Sequence, residues 1–215
     1  MKTIKVFFDC EFTGLHQNTK LISIGLIADT EKQPNIFYAE SADGIAEALN
    51  DPWLERNVCT KLSPLDLQLV MSSDPKYTLV LSPGDNILIK NKLKDWLDEV
   101  SNNGEYHIQL YADVAHYDMI LFQEIFGGAF GVPSYVSAYV HDINTDISCY
   151  LNNEEWEAFD VSRESLLEEW DKREIMKILN GISEFTDDMK RQHNALYDAV
   201  MELFVYMAIY RKAKK

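Results

Sequence analysis

Ile4-Lys5-Val6-Phe7-Phe8-Asp9-Cys10-Glu11 reads as an apolar strand that ends on two carboxylates. Side chains at i and i+2 of a strand point the same way, so Asp9 and Glu11 stand side by side on one face. Two anions held together beside a buried sheet are costly unless a cation joins them. The simplest partner is a hard divalent metal, which prefers carboxylate oxygens. The same two acids also fit a strand that stops early in a solvated turn at Phe12-Thr13-Gly14-Leu15. The far end of the chain separates these two readings.

Outward from this strand, residues 19–28 form a second apolar, β-branched run with period-two features, and residues 35–40 a third. The polar stretch 29–34 between them reads as a turn, so the three make an antiparallel meander. From residue 44 to 73 the apolar spacing predicts short helices broken at Pro52 and Pro64. Residues 78–81 fit either kind of element. Ser82-Pro83-Gly84-Asp85 predicts a helix start, with Ser as N-cap, Pro at N1 and an acid at N3. Asn102-Asn103-Gly104 stops that helix. Residues 107–111 predict a strand, 115–126 a helix and 135–141 a further strand. The segment from about 142 to 171 is acidic and aromatic, and predicts short helices forming a cap. Residues 173–179 predict a short helix. The last helix spans 194–211 and leads into the basic tail Arg211, Lys212, Lys214, Lys215. The expected architecture is one α/β domain over residues 1–215. Its mixed sheet has three antiparallel strands and then parallel ones, flanked by helices.

The 215 residues suffice for one domain with a sizeable core. No apolar run approaches a membrane span, and the N-terminal run stops at Asp9, unlike a signal peptide. Cys10, Cys59 and Cys149 are odd in number and widely spaced, which excludes a fully paired framework and shows no zinc spacing. A reducing cytoplasm fits this usage. A net charge of −15 argues against sequence-blind adhesion to nucleic acid. It leaves room for a nucleic-acid enzyme whose acidic site is neutralised by metal ions.

The last helix is apolar almost all round, yet carries Asp198 among Met201, Val205 and Ile209. A carboxylate so placed needs compensation, although an acid in a first helical turn is also stabilised by the helix dipole. His193 precedes Asp198 by five positions, an offset of about 140° on a helix. The two would not share a face, so His193 belongs to the loop before the helix. A loop histidine beside a helical carboxylate suits a general base near a metal, and also suits a plain surface position. Asp118 falls on the core stripe with Leu121, Phe122 and Ile125. Asp113 is its rival, but its place just after the strand also suits a helix cap. Four carboxylates without cysteine suit magnesium or manganese rather than zinc.

These residues resemble the DEDDh branch of the ribonuclease-H-like 3′–5′ exonucleases. Asp9-Cys10-Glu11-Phe12-Thr13-Gly14 is similar to its Asp-x-Glu-x-x-Gly motif, Tyr117-Asp118 to its aromatic-Asp pair on a helix, and His193-Asn194-Ala195-Leu196-Tyr197-Asp198 to its His-x4-Asp motif. A narrower resemblance is to the exoribonuclease AS-like group of bacterial and phage enzymes. It is carried by Glu11-Phe12, Leu21-Ile22-Ser23-Ile24-Gly25 and Asp51-Pro52-Trp53-Leu54 through Lys61-Leu62.

The resemblance implies a metal-dependent 3′–5′ exoribonuclease that releases nucleoside 5′-monophosphates from single-stranded RNA 3′ ends. Asp9, Glu11, Asp118 and Asp198 would hold two Mg²⁺ or Mn²⁺ ions, and His193 would act as general base. Glu11, Phe12, Thr13 and Leu15 would meet the substrate end. The narrower group further implies a homodimer and a preference for adenine-rich ends. DNA in place of RNA, or a non-catalytic acidic interaction protein using the 142–171 segment, are the competing expectations. The basic tail, or Lys90, Lys92 and Lys94, would steer RNA or simply be solvated.

Overall fold

The structure, a computed structural model, describes residues 2–30, 35–64, 70–74 and 76–212. β1 (Thr3–Phe12), β2 (Leu21–Asp29) and β3 (Asn35–Ser41) form the antiparallel meander expected from their patterns. β4 (Val70–Asp74) and β5 (Tyr77–Gly84) make an antiparallel hairpin, and β5 lies parallel to β3. β6 (His107–Ala112) runs parallel to β1, and β7 (Val136–Asp142) parallel to β6. The result is one mixed seven-stranded sheet in the order β4-β5-β3-β2-β1-β6-β7. β1 sits inside it because both of its faces are apolar and buried from Val6 to Phe8, as a doubly covered strand requires.

Helices cover both faces. α1 (Ala42–Ala48) and α2 (Pro52–Asn57) follow β3 and gather Ile45, Ala48, Leu54 and Val58 around Ile22 in a small cluster of their own. α3 (Asn86–Val100) and α4 (His116–Ile125) pack on one face of the sheet, against Val6, Phe8, Phe37 and Leu110. The other face takes α5 (Ile143–Leu151), α6 (Glu155–Phe159), α7 (Glu169–Asn180) and α8 (Ala195–Lys212), against Phe7, Ile27, Tyr38 and Leu79. α8 is apolar all round because β1 and β2 contact it, and so do α5, α7 and the turn Arg163–Leu166. Burying one such Leu or Val side chain contributes about 1.5–3 kcal/mol.

Three local expectations are corrected. Residues 82–84 extend β5, and Asp85 caps α3 instead of Ser82: the Asp85 carboxylate accepts from Leu88 N at 2.7 Å. The short carboxylate reaches the third helical N–H directly, which ends the contest between the two capping signals. The break between short helices at Pro52 is observed: α1 ends at Ala48 and Pro52 opens α2, with Asp51 accepting from Trp53 N and Leu54 N. The helix expected at 173–179 begins at Glu169, because Glu168 and Asp171 form a capping box.

The third correction concerns the basic tail. Arg211 donates to both oxygens of fully buried Asp171, at 3.1 and 2.8 Å, and Lys212 donates to Leu166 O at 2.9 Å. These two residues strap α8 to its neighbours through hydrogen bonds within the protein. Lys214 and Lys215 lie outside the described residues, as do 31–34 of the expected turn and 65–69 of the expected helical stretch. The 142–171 segment places Ile143, Ile147, Ala158 and Leu166 in the same core as α8 and turns Trp156 and Phe159 outward. The three cysteines are unpaired. Among the described residues, no helix is long and apolar enough to cross a membrane.

Candidate metal centre

Strand parity puts Phe7, Asp9 and Glu11 on the face of the sheet that α8 covers. The ladder between β1 and β6 ends at Phe7↔Tyr111, so the last part of β1 is paired only with β2. Gly25 of β2 lies opposite Asp9 in that ladder. A Cβ at Gly25 would stand 2.4 Å from the Leu196 backbone, so only glycine lets the first turn of α8 come this close. That approach delivers Asp198. Carboxylate oxygens of Asp9, Glu11 and Asp198 lie within 4.8 Å of one another.

The start of α8 is fixed by Asn194, which is fully buried. Its Oδ1 accepts from Leu196 N and Tyr197 N at 3.1 and 3.2 Å, and its Nδ2 donates to Tyr38 Oη and Lys61 O at 3.0 and 2.9 Å. An Asn side chain so engaged caps the helix and ties it to β3. His193 precedes the helix, as the 140° offset requires. Its φ of 67° lies in the left-handed region, where a non-glycine residue is uncommon and which functional sites often hold. His193 N donates to Asp198 Oδ2 at 2.8 Å, which locks the loop onto the acid. The ring places Nδ1 3.9 Å from Glu11 Oε1 and meets the Trp53 ring edge to face at 5.6 Å. Burial, and then the Lys61 charge, lower the His193 pKa, so the imidazole is neutral at pH 7.

Asp118 comes from the opposite layer, on the first turn of α4. It is buried, and its Oδ1 accepts from Cys10 N at 2.9 Å on the open stretch of β1. It stands outside the close triad, yet after burial its charge acts most strongly on Asp9. Its rival Asp113 is engaged elsewhere. Arg163 donates to it twice, Nε to Oδ2 at 2.5 Å and Nη2 to Oδ1 at 2.8 Å. The remaining Arg163 donors go to Asn144 Oδ1, Ala158 O and Val161 O. All five N–H groups are used within the protein, so Arg163 is a staple of the wall and not a free phosphate clamp.

Glu202 is the residue that sequence reasoning missed. It lies four positions after Asp198 on α8, so it shares that side of the helix, and this spacing was the available signal. It is buried, and its Oε1 accepts from Asp113 N at 3.1 Å. A cleft of about 720 Å³ opens over Asp9, Asp198 and Glu202, walled by Val114, Phe159, Arg163, His193 and Tyr197.

Of the residues expected to meet a substrate end, Phe12 stacks on Tyr117 at 5.5 Å and 24°. The Thr13 hydroxyl accepts from Lys20 N at 3.0 Å within its own loop, while Leu15 is exposed.

The electrostatics of the cluster are one-sided. Burial raises the pKa values of Asp9, Glu11, Asp118, Asp198 and Glu202 above the ordinary carboxylate range, and the neighbouring acids raise them further. Asp118 and Asp198 reach about 7 even though backbone N–H groups favour their charged forms. A pocket of buried oxygen donors with this much unrelieved repulsion fits a hard divalent cation. The chain matches no protein-family model and no curated protein.

Proposed function

We propose that this chain is a metal-dependent 3′–5′ exonuclease of the DEDDh, ribonuclease-H-like type that shortens single-stranded RNA and releases nucleoside 5′-monophosphates. The observation that carries this reading is the triad Asp9, Glu11 and Asp198, with carboxylate oxygens within 4.8 Å, beside a neutral histidine at its rim. The sheet supports it: the β3-β2-β1-β6-β7 core, antiparallel and then parallel, is the strand arrangement expected of that fold. The choice of RNA rests on the resemblance of the motifs.

Asp9, Glu11 and Asp198 would hold the divalent ions, with Asp118 completing the set from α4. Bound there, divalent ions would supply Lewis-acid activation of the attacking water and charge stabilisation of the leaving oxygen. His193 takes the proton of the attacking water on Nδ1, the ring nitrogen turned toward Glu11. Asp198 holds the His193 backbone, which keeps the base beside the triad. The half-buried triad suits small hard ions better than a protein partner, which weighs against a pure interaction role.

A time course on 3′-labelled and 5′-labelled single-stranded RNA, with Mn²⁺ and with EDTA, tests the reading. Stepwise loss of 3′ nucleotides only with Mn²⁺ is expected. Inactivity of the pure protein on both labels would sink it, and faster hydrolysis of DNA of the same sequence would replace RNA with DNA.

Trp53 is an exposed aromatic at the mouth of this site, held against the His193 ring. We assign it the terminal or penultimate base, since stacking on an aromatic is worth about 1–3 kcal/mol. Trp53→Ala should raise KM for RNA by roughly 5- to 100-fold with kcat little changed. An unchanged KM would remove Trp53 from the binding surface.

A further inference from the structure

We propose that Glu202 is a fifth carboxylate of the cation site, holding water of the cation's hydration shell through Oε2. This rests on the exonuclease reading of the same cleft and adds a residue to it. Glu202 is only 5% exposed. Its Oε1 is used by Asp113 N, but its Oε2 is buried without any hydrogen-bond partner. Leaving a buried polar atom unsatisfied costs about 1–3 kcal/mol, and more when it is charged. The guanidinium that shares the cleft wall, Arg163, has no donor to spare.

The free oxygen therefore has no protein donor to meet, and it belongs to a residue that lines the same cleft as Asp9 and Asp198. Glu202 lies outside the group whose oxygens approach within 4.8 Å, which suits contact through water instead of direct ligation. Mg²⁺ and Mn²⁺ sites of this kind retain several waters, each a pair of donors in search of acceptors. Carboxylates behind the direct ligands commonly supply such acceptors, and losing one costs about 10–100-fold in metal affinity or activity.

The test is Mn²⁺ titration by calorimetry of the full chain, with melting temperature recorded for each variant. Glu202→Gln keeps an acceptor for Asp113 N, so a purely structural role predicts unchanged Mn²⁺ affinity. The proposal predicts Mn²⁺ binding weakened roughly 10- to 100-fold with the melting temperature in EDTA not lowered. Glu164→Gln removes a charge from the exposed wall of the same cleft and should weaken binding less than about 2-fold, as expected for a screened surface charge. Wild-type affinity in Glu202→Gln overturns the proposal, as does an equal loss in Glu164→Gln. If Glu202→Gln fails to fold, Glu202→Met, which also removes the acceptor of Asp113 N, is titrated instead: wild-type Mn²⁺ affinity overturns the proposal, and a loss of roughly 10- to 100-fold in the folded variant supports it. Mn²⁺ binding that depends on Glu202 in a chain inactive on RNA would support the cation role and defeat the exonuclease reading alone.

Discussion

Asp198→Asn is expected to abolish metal-dependent RNA hydrolysis, by at least ~10³-fold, while raising the melting temperature of the metal-free chain. The two effects share one cause. Asp198 stands half-buried beside Asp9 and Glu11, and desolvation together with the negative charge of Asp113 lifts its pKa to about 7. Its charge is therefore costly to the empty fold and useful only when a cation is present. The asparagine oxygen keeps the bond from His193 N, so the loop retains its anchor. Removing a ligand that brings several kcal/mol of charge stabilisation to the transition state, about 4 kcal/mol, corresponds to the ~10³-fold loss. Relief of about 1 kcal/mol of repulsion raises the melting temperature by about 2–4 °C in a chain of this size. Oligonucleotide hydrolysis and thermal unfolding in EDTA measure the two sides. More than a tenth of wild-type activity would exclude Asp198 as a ligand. An inactive variant that melts below wild type would show that the charge is compensated in the empty fold, against the repulsion argument.

The residues of this site differ in how plainly the sequence announces them. Asp9 and Glu11 were readable because strand parity alone places them together, whatever packs above. His193 was readable because five positions cannot share a helix face. Glu202 was not, because α8 is covered on both sides by β1, β2, α5 and α7. With apolar residues all round, no polar face remains against which a buried acid stands out. Gly25 carried a signal, since glycine inside a strand often marks a close backbone approach. What approaches it depends on where α8 lands, which is a tertiary fact. Trp53 is of the same kind: its contact with His193 spans 140 positions and two elements. The β4–β5 hairpin was hidden because Ser82-Pro83-Gly84-Asp85 carries strand-ending and helix-starting residues together. Helical phase favoured Asp118 over its rival Asp113. The distinguishing fact is that Arg163 already neutralises Asp113.

In EDTA, stability should fall as pH rises from about 4 to about 7, and added Mn²⁺ should reverse that fall at pH 8 but not at pH 5. The sign follows from which state binds more protons. Asp118 and Asp198 have pKa values of about 7 in the fold against an ordinary 3.8. Between those limits the folded chain holds protons that the unfolded chain has lost, so raising the pH favours unfolding. A shift from 3.8 to about 7 in one group corresponds to about 4 kcal/mol. Shifts within one cluster are shared and do not add. Asp9, Glu11 and Glu202 act in the same direction. His193, whose pKa is lowered, acts in the opposite one: its contribution rises as pH increases toward the ordinary histidine range. Asp98 and Glu47, whose pKa values are also lowered, act with His193 but only at the foot of this range, so the five raised acids leave a net fall. Mn²⁺ binds the deprotonated acids, so it competes with protons at pH 5 and not at pH 8. At a concentration 100 times its Kd it stabilises by about 2.7 kcal/mol, or about 5–10 °C in melting temperature. A melting temperature in EDTA that is flat or rising between pH 4 and pH 7 would refute the charge argument. An equal Mn²⁺ effect at pH 5 and pH 8 would place the ion away from these carboxylates.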